Sequence, residues 1–244
     1  MGQAVATGLS TRDDLTVVAL VDVYEPRDLV GARYVSTIED LDSAEVDVVV
    51  DFSVPEGVVR SADWCAKHAV ALVIGATGLT EEQRASVAEA AKSVGIVIAA
   101  NFSIGAVLAE RFAGQAAPYF DRVEIIELHH DRKVDSPSGT SISTAQEIAA
   151  ARSAAGKGPL TDPTERHTIE GARGANAEGG VRIHSVRLPG LVAHQEILFG
   201  GPGEGLTIRH DSYDRQSFVQ GVILAINAID STPRLVTGIA SFVV

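Results

Sequence analysis

Four short stretches early in the chain are apolar at nearly every position: Leu15–Val21, Val46–Phe52, Val70–Ile74 and Ile96–Ala100. Runs with no polar alternate suit strands buried on both faces of a parallel sheet. Helical patterns lie between them. Pro55–His68 is entered through Ser53 and Pro55, an acceptable helix start. Glu81–Val94 follows Thr80, with Gln83 three residues on as the second half of a capping box and Gly95 as the closing residue. This alternation predicts an α/β fold with a Rossmann-like, doubly wound parallel sheet.

The pattern then changes. Val123–His129 alternates with period two, and Val181–Leu188, Ala193–Phe199 and Gly205–His210 follow with Pro-Gly, Gly-Gly and Gly-Pro turn signals between them. Consecutive strands without helices predict a separate α+β domain with a mixed sheet. Gly156–Gly180 reads as a long mobile loop of the kind that carries function. A last helix is expected over Arg215–Ile229, with Phe218, Val222, Ile226 and Ile229 as its apolar stripe.

Composition narrows the function. The chain has 244 residues, 45% apolar and 21% charged, room for one large domain or two modest ones. No apolar run is long enough to span a membrane, and no basic region precedes an apolar core at the N-terminus, so neither membrane nor secretion is expected. The single cysteine, Cys65, lies between Trp64 and Ala66 in an apolar helical pattern and reads as a buried structural thiol in a reducing cytoplasm. A net charge of −12 argues against nucleic acid as a partner. An anionic ligand would need a local cluster of donors.

Such a cluster is written in Glu124–Thr140, E-I-I-E-L-H-H-D-R-K-V-D-S-P-S-G-T. A strand delivers His129 and His130, Lys133 follows, and Ser138-Gly139-Thr140 opens a helix running through Ala150. Imidazoles titrate near neutrality and can donate a proton. A helix start presents unpaired N–H groups and suits a carboxylate or phosphate, and Lys133 adds a full positive charge. Either feature alone is as ordinary as a surface histidine pair or a helix cap. Their occurrence together within twelve residues points to one site. Adjacent histidines could also hold zinc, but no third ligand stands at suitable spacing, so no metal is expected. Successive strand residues face opposite ways, so the two histidines can share a role only if the strand ends between them.

This segment closely resembles the signature of the 4-hydroxy-tetrahydrodipicolinate reductases, formerly dihydrodipicolinate reductases. The resemblance extends to D-F-S at Asp51–Ser53, G-A-T-G at Gly75–Gly78, A-N-F-S at Ala100–Ser103, G-L-V-A-H-Q-E at Gly190–Glu196 and R-H-D-S-Y-D-R-Q-S-F at Arg209–Phe218. It implies hydride transfer from NADH or NADPH to ring C4 of a cyclic imine dicarboxylate, within lysine and diaminopimelate biosynthesis. It makes His129 the proton donor, with Lys133 acting beside it or holding a carboxylate. His130, Gly139 and Thr140 would bind substrate. Residues 1–103 with 216–244 would form the dinucleotide-binding domain, and 104–215 a substrate-binding and oligomerisation domain of a homotetramer, with the active site in the cleft.

On the nucleotide side, Asp22 ends a strand where an acidic residue can bind the adenosine ribose, although an Asp there is equally often a turn former. Val23 stands where an arginine would hold a 2′-phosphate, which favours NADH, while the family accepts both cofactors. Gly75, Ala76 and Thr77, and then Ala99, Ala100, Asn101 and Phe102, follow strands at the edge where such sheets bind ligands, and in the family both loops touch the nicotinamide side. The family opens with a strand and a G-x-x-G-x-M-G turn, whereas this sequence begins at Met1-Gly2, the last two residues of that motif. The expectation is a gap in the sheet and weakened dinucleotide binding. Two other readings remain open: another two-domain amino-acid dehydrogenase, against which the histidine segment argues, and a non-catalytic remnant or binding protein.

Overall fold

The computed structural model describes residues 1–243, whose contacts separate into two compact units, Met1–Ile104 with Arg215–Val244, and Gly105–Asp214. The first unit opens with helix α1 (Gly2–Ser10), which buries Val5, Ala6 and Leu9. Strand β1 (Ala19–Val21) pairs in parallel with β2 (Arg33–Val35). Next come β3 (Val48–Asp51), α2 (Pro55–His68), β4 (Ala71–Ile74), α3 (Glu81–Ala90) and β5 (Gly95–Ile98). The capping box forms: the Thr80 hydroxyl accepts from the Gln83 N–H, and the Gln83 side chain accepts from the Thr80 N–H. That helix ends sooner than its pattern predicts. Gly95 is the first residue of β5, paired with Arg234, not a helix cap, and glycine is needed there because a Cβ would lie 2.1 Å from the Asp230 carbonyl oxygen.

The second unit begins with α4 (Ile104–Ala116) and β6 (Arg122–His129), then α5 (Gly139–Ala154), a two-residue β7 (Ala175–Asn176), β8 (Arg182–Arg187), β9 (Ala193–Gly201) and β10 (Glu204–Ser212). Its sheet runs β10-β9-β6-β8-β7. The β6–β8 pair is parallel and the other pairs are antiparallel, giving the expected mixed sheet. Helices α4 and α5 cover one face, where Ala109, Ala113, Ala145 and Ile148 pack on Val123, Ile125, Ile183, Ile197 and Phe199. Residues 156–180 are largely irregular, as expected, apart from β7 and a single helical turn.

The chain then rejoins the first unit. A short 3-10 turn at Arg215–Phe218 leads into α6 (Val219–Ala228) and β11 (Arg234–Thr237). Strand β11 completes an all-parallel sheet, β11-β5-β4-β3. Its core joins α2 and α3 to the strands through Val58, Ala62, Trp64, Leu72, Val87 and Ile96. Cys65 is wholly buried in it, and burial, helped by the nearby Asp51 carboxylate, pushes its thiol up to about 12, so it is a structural residue.

The sheet of this unit is interrupted. Among the described residues no strand pairs with the edge of β1 opposite β2, or with the edge of β3 opposite β4. Burial records the difference. Strand β4 is buried at every position, whereas Val48–Val50 of β3 are only half-buried and Val21 of β1 is exposed. An apolar run is therefore buried on both faces only where it has a neighbour on each side.

Helix α6 meets the segment after β5 at very short range. A Cβ added at Gly221 would lie 1.9 Å from the carbonyl oxygen of Phe102. Gly221→Ala is expected to destabilise the first unit by roughly 1–3 kcal/mol. A lowered urea midpoint would record this, and an unchanged midpoint would mean that the helix moves aside freely.

Candidate active site

The histidine segment lies in the second unit. Strand β6 ends at His129, and His130 lies just beyond it, so the alternation that would oppose the two side chains stops between them. His129 is held from below. Its Nδ1 lies 2.5 Å from Oε2 of Glu127, the preceding residue on the same strand face, and its side chain is 14% exposed. Nδ1 of His130 is buried and has no hydrogen-bond partner, which leaves a polar atom for a ligand to satisfy.

Glu127 has no solvent exposure, and Arg187 of β8 grips it with Nη1 and Nη2, each at 2.8 Å from a carboxylate oxygen. Burial alone would raise this carboxyl. Hydrogen bonds from His129, Arg187 and Ser185 outweigh it and hold the group down to about 2. Arg187 also donates to the Asp135 carbonyl at 2.9 Å, tying down the loop that carries Lys133. The Lys133 ammonium lies 2.7 and 2.8 Å from the two Asp135 oxygens.

Gly139 and Thr140 are the first residues of α5, which has Ser138 as its N-cap and no acidic residue in its first turn. A side chain at Gly139 would meet open space, so the helix start is accessible to a ligand. Buried hydroxyls and an amide fix this end of the helix. Ser141 donates to Gln195 Oε1 at 2.7 Å, and Gln195 Nε2 donates to the Thr144 hydroxyl at 2.9 Å. Gln195 stands opposite Glu127 in the β6–β9 ladder. One rung of the sheet thus carries both the support of His129 and the anchor of the helix start.

The predicted nucleotide residues lie in the first unit. Gly75, Ala76 and Thr77 follow β4, and Ala99, Ala100, Asn101 and Phe102 follow β5, at the same edge of the parallel sheet. Thr77 and Ala100 are exposed and Asn101 half-buried, while Ala76, Ala99 and Phe102 point into the core. Phe102 packs on Phe52 with ring centroids 5.7 Å apart, and a Cβ at Gly75 would lie 2.1 Å from the Phe52 ring. Asp22 follows β1 on the separate two-stranded ladder, exposed, with one carboxylate oxygen accepting the Tyr24 N–H at 3.2 Å. These features suit a dinucleotide: a carboxylate with a second oxygen available to ribose hydroxyls, and small or polar residues at the ends of parallel strands. Among the described residues no group of three metal-ligating side chains gathers, and no helix is long and apolar enough to cross a membrane.

Sequence reasoning overlooked Glu127, Arg187, Asp135 and Gln195. Glu127 and Asp135 carried local signals, the one two residues before His129 on one strand face and the other two residues after Lys133.

Known proteins match this chain along its length. The family model for the dihydrodipicolinate reductase N-terminus matches residues 1–102, and that for its C-terminus matches 105–242. A 4-hydroxy-tetrahydrodipicolinate reductase of Lactiplantibacillus plantarum is 46% identical, over 98% of this chain and 94% of its own length. The enzyme of that name from Corynebacterium diphtheriae is 42% identical, over 99% and 94%. A dipicolinate-bound dihydrodipicolinate reductase from Paenisporosarcina superposes with a TM-score of 0.84 at 42% identity, covering 98% of this chain and 94% of that one. An amine dehydrogenase from Mycobacterium smegmatis, with a TM-score of 0.54 at 12% identity, shares the fold alone.

Glu127 also gives this unit an acid sensitivity. Its folded value, about 2, lies below the ordinary 4.5, so its stabilisation is complete above 4.5 and is lost as pH falls through about 2. Thermal melts of the wild type should fall across that window, and Glu127→Gln should lack that part of the slope. Equal slopes would place the acid sensitivity elsewhere.

Proposed function

Because this chain belongs to the dihydrodipicolinate reductase family, we propose that it reduces 4-hydroxy-tetrahydrodipicolinate to tetrahydrodipicolinate with His129 as the proton donor. The observation that carries this reading is His129 at a strand end, held through Nδ1 by a buried carboxylate, in the same unit as an accessible helix start. The reaction belongs to lysine and diaminopimelate biosynthesis, and a single buried cysteine accords with the cytoplasm.

When bound, the reduced pyridine nucleotide, NADH or NADPH, supplies the hydride that adds to ring C4 of the dehydrated substrate. Asp22 receives the ribose hydroxyls. Gly75, Ala76, Thr77 and the Ala99–Phe102 loop line the nicotinamide side. The absence of a basic residue at Val23 favours NADH. His129 gives its proton to the substrate's enamine. Gly139 and Thr140 receive one substrate carboxylate through helix-start N–H groups, Lys133 the other, and His130 contacts the ring. To do so Lys133 must leave or share Asp135.

Residues 1–103 with 216–244 then act as the dinucleotide-binding domain and 104–215 as the substrate-binding one. The sheet face of the second unit opposite α4 and α5 carries Ile126, Leu128, Val186 and Leu198, all half-buried. These apolar positions, set among Glu124, Arg182, His184 and Glu196 on the same face, support assembly into a homotetramer. Leu128→Asp is expected to shift the sedimenting species to a smaller size, and unchanged sedimentation would rule out this face.

The function is tested by following the loss of reduced-nicotinamide absorbance with freshly made 4-hydroxy-tetrahydrodipicolinate and each nucleotide. The assay is run on the 244-residue chain. Turnover is expected, and its absence overturns the reading. His129→Gln should lower kcat by about 10²–10⁴-fold with KM little changed. Lys133→Ala should act mainly on KM.

A further inference from the structure

Glu127 is the one fully buried carboxylate in the second unit among the described residues, and it has so far been given no part in the proton transfer beyond holding His129. His129, Arg187 and Ser185 all donate to it. Oε2 accepts from His129 Nδ1 at 2.5 Å and from Arg187 Nη1 at 2.8 Å, and Oε1 accepts from Arg187 Nη2 at 2.8 Å. A carboxylate that only paired with Arg187 would be a structural ion pair. The imidazole among its donors is what sets this one apart. With both oxygens facing donors, Nδ1 of His129 must carry its proton, and Nε2 becomes the nitrogen that exchanges a proton with a ligand.

We propose that Glu127 is the positioning residue of the proton-transfer step, fixing His129 through Nδ1 so that the proton leaves from Nε2, with Arg187 as its permanent counter-charge. This rests on the reading of His129 as the donor. In the step, the Nε2–H bond of the imidazolium breaks and its electrons stay on nitrogen. The enamine's electron pair takes the proton at carbon and the ring C=N is restored. What remains is neutral imidazole with its proton on Nδ1, whose hydrogen bond to Glu127 is the same before and after. Nothing around the ring has to turn during the reaction, and solvent restores the Nε2 proton afterwards. Arg187 reaches from the same carboxylate to the Asp135 carbonyl, so the loop bearing Lys133 is set by the same group.

The test begins with the wild type. Nitrogen-15 NMR of histidine-labelled protein should find neutral His129 as the Nδ1–H tautomer, and the Nε2–H tautomer would overturn the proposal with no variant needed. In Glu127→Gln the carboxamide NH₂ faces Arg187 in either orientation, and the ionised acceptor that holds the Nδ1 proton is gone, so the share of the Nε2–H tautomer should rise. Turnover of this variant should fall about 10²–10⁴-fold in kcat with KM within a few-fold, as when the carboxylate orienting a catalytic histidine becomes an amide. The double variant Glu127→Gln/His129→Gln should be no slower than His129→Gln alone, because the two residues act as one. A purely structural Glu127 would give additive losses and leave the tautomer alone, which would sink the idea, as would a folded Glu127→Gln with kcat within about three-fold of wild type. If the wild type itself shows no turnover, the reductase reading fails, while the tautomer measurement still decides the role of Glu127.

Discussion

A carboxylate removed from water must be surrounded by donors, and the second unit is organised around that requirement at Glu127. Strand β6 supplies the residue and His129, β8 supplies Arg187, and the guanidinium also donates to the carbonyls of Val186 and Asp135. The rung it occupies continues to Gln195 and from there to the start of α5. Breaking one side of a buried charge pair costs roughly 3–5 kcal/mol. The histidine is therefore aimed by an arrangement that the fold cannot relax cheaply, which is what a preorganised proton donor needs.

The reaction asks an acidic protein to hold a doubly negative substrate. At −12 the molecule as a whole offers no long-range attraction. Affinity must come from short-range donors, and in the proposed site these are the α5 start and Lys133. On that proposal the ammonium is recruited only by a ligand carboxylate that competes with Asp135.

Much of the architecture was legible because its signals are local. The apolar runs became β3, β4 and β5, the capping box formed at Thr80, and α2 spans Pro55–His68 as its pattern predicts. What escaped notice lacked local contrast. Helices α1 and α4 are rich in alanine and glycine, and β2 is three residues long. Gly95 was misread because its reason, the carbonyl of Asp230, lies far along the chain. The site divides the same way. His129, Lys133 and Gly139–Thr140 stand within one segment, whereas Arg187 reaches Glu127 only through the β6–β8 ladder. A sequence shows which groups could react, and the ladder shows which groups hold them still.

The aromatic pair beneath the nucleotide-side loops has an evolutionary consequence. Phe52, Phe102 and the bare Cα of Gly75 belong to three different loops, yet they share one packed volume. A side chain at 75 fits only if the ring at 52 moves or shrinks, and either change alters its packing on Phe102. The three positions should therefore show epistasis, each change tolerated only in the company of another, so that homologues drift here by coordinated exchange rather than by single steps.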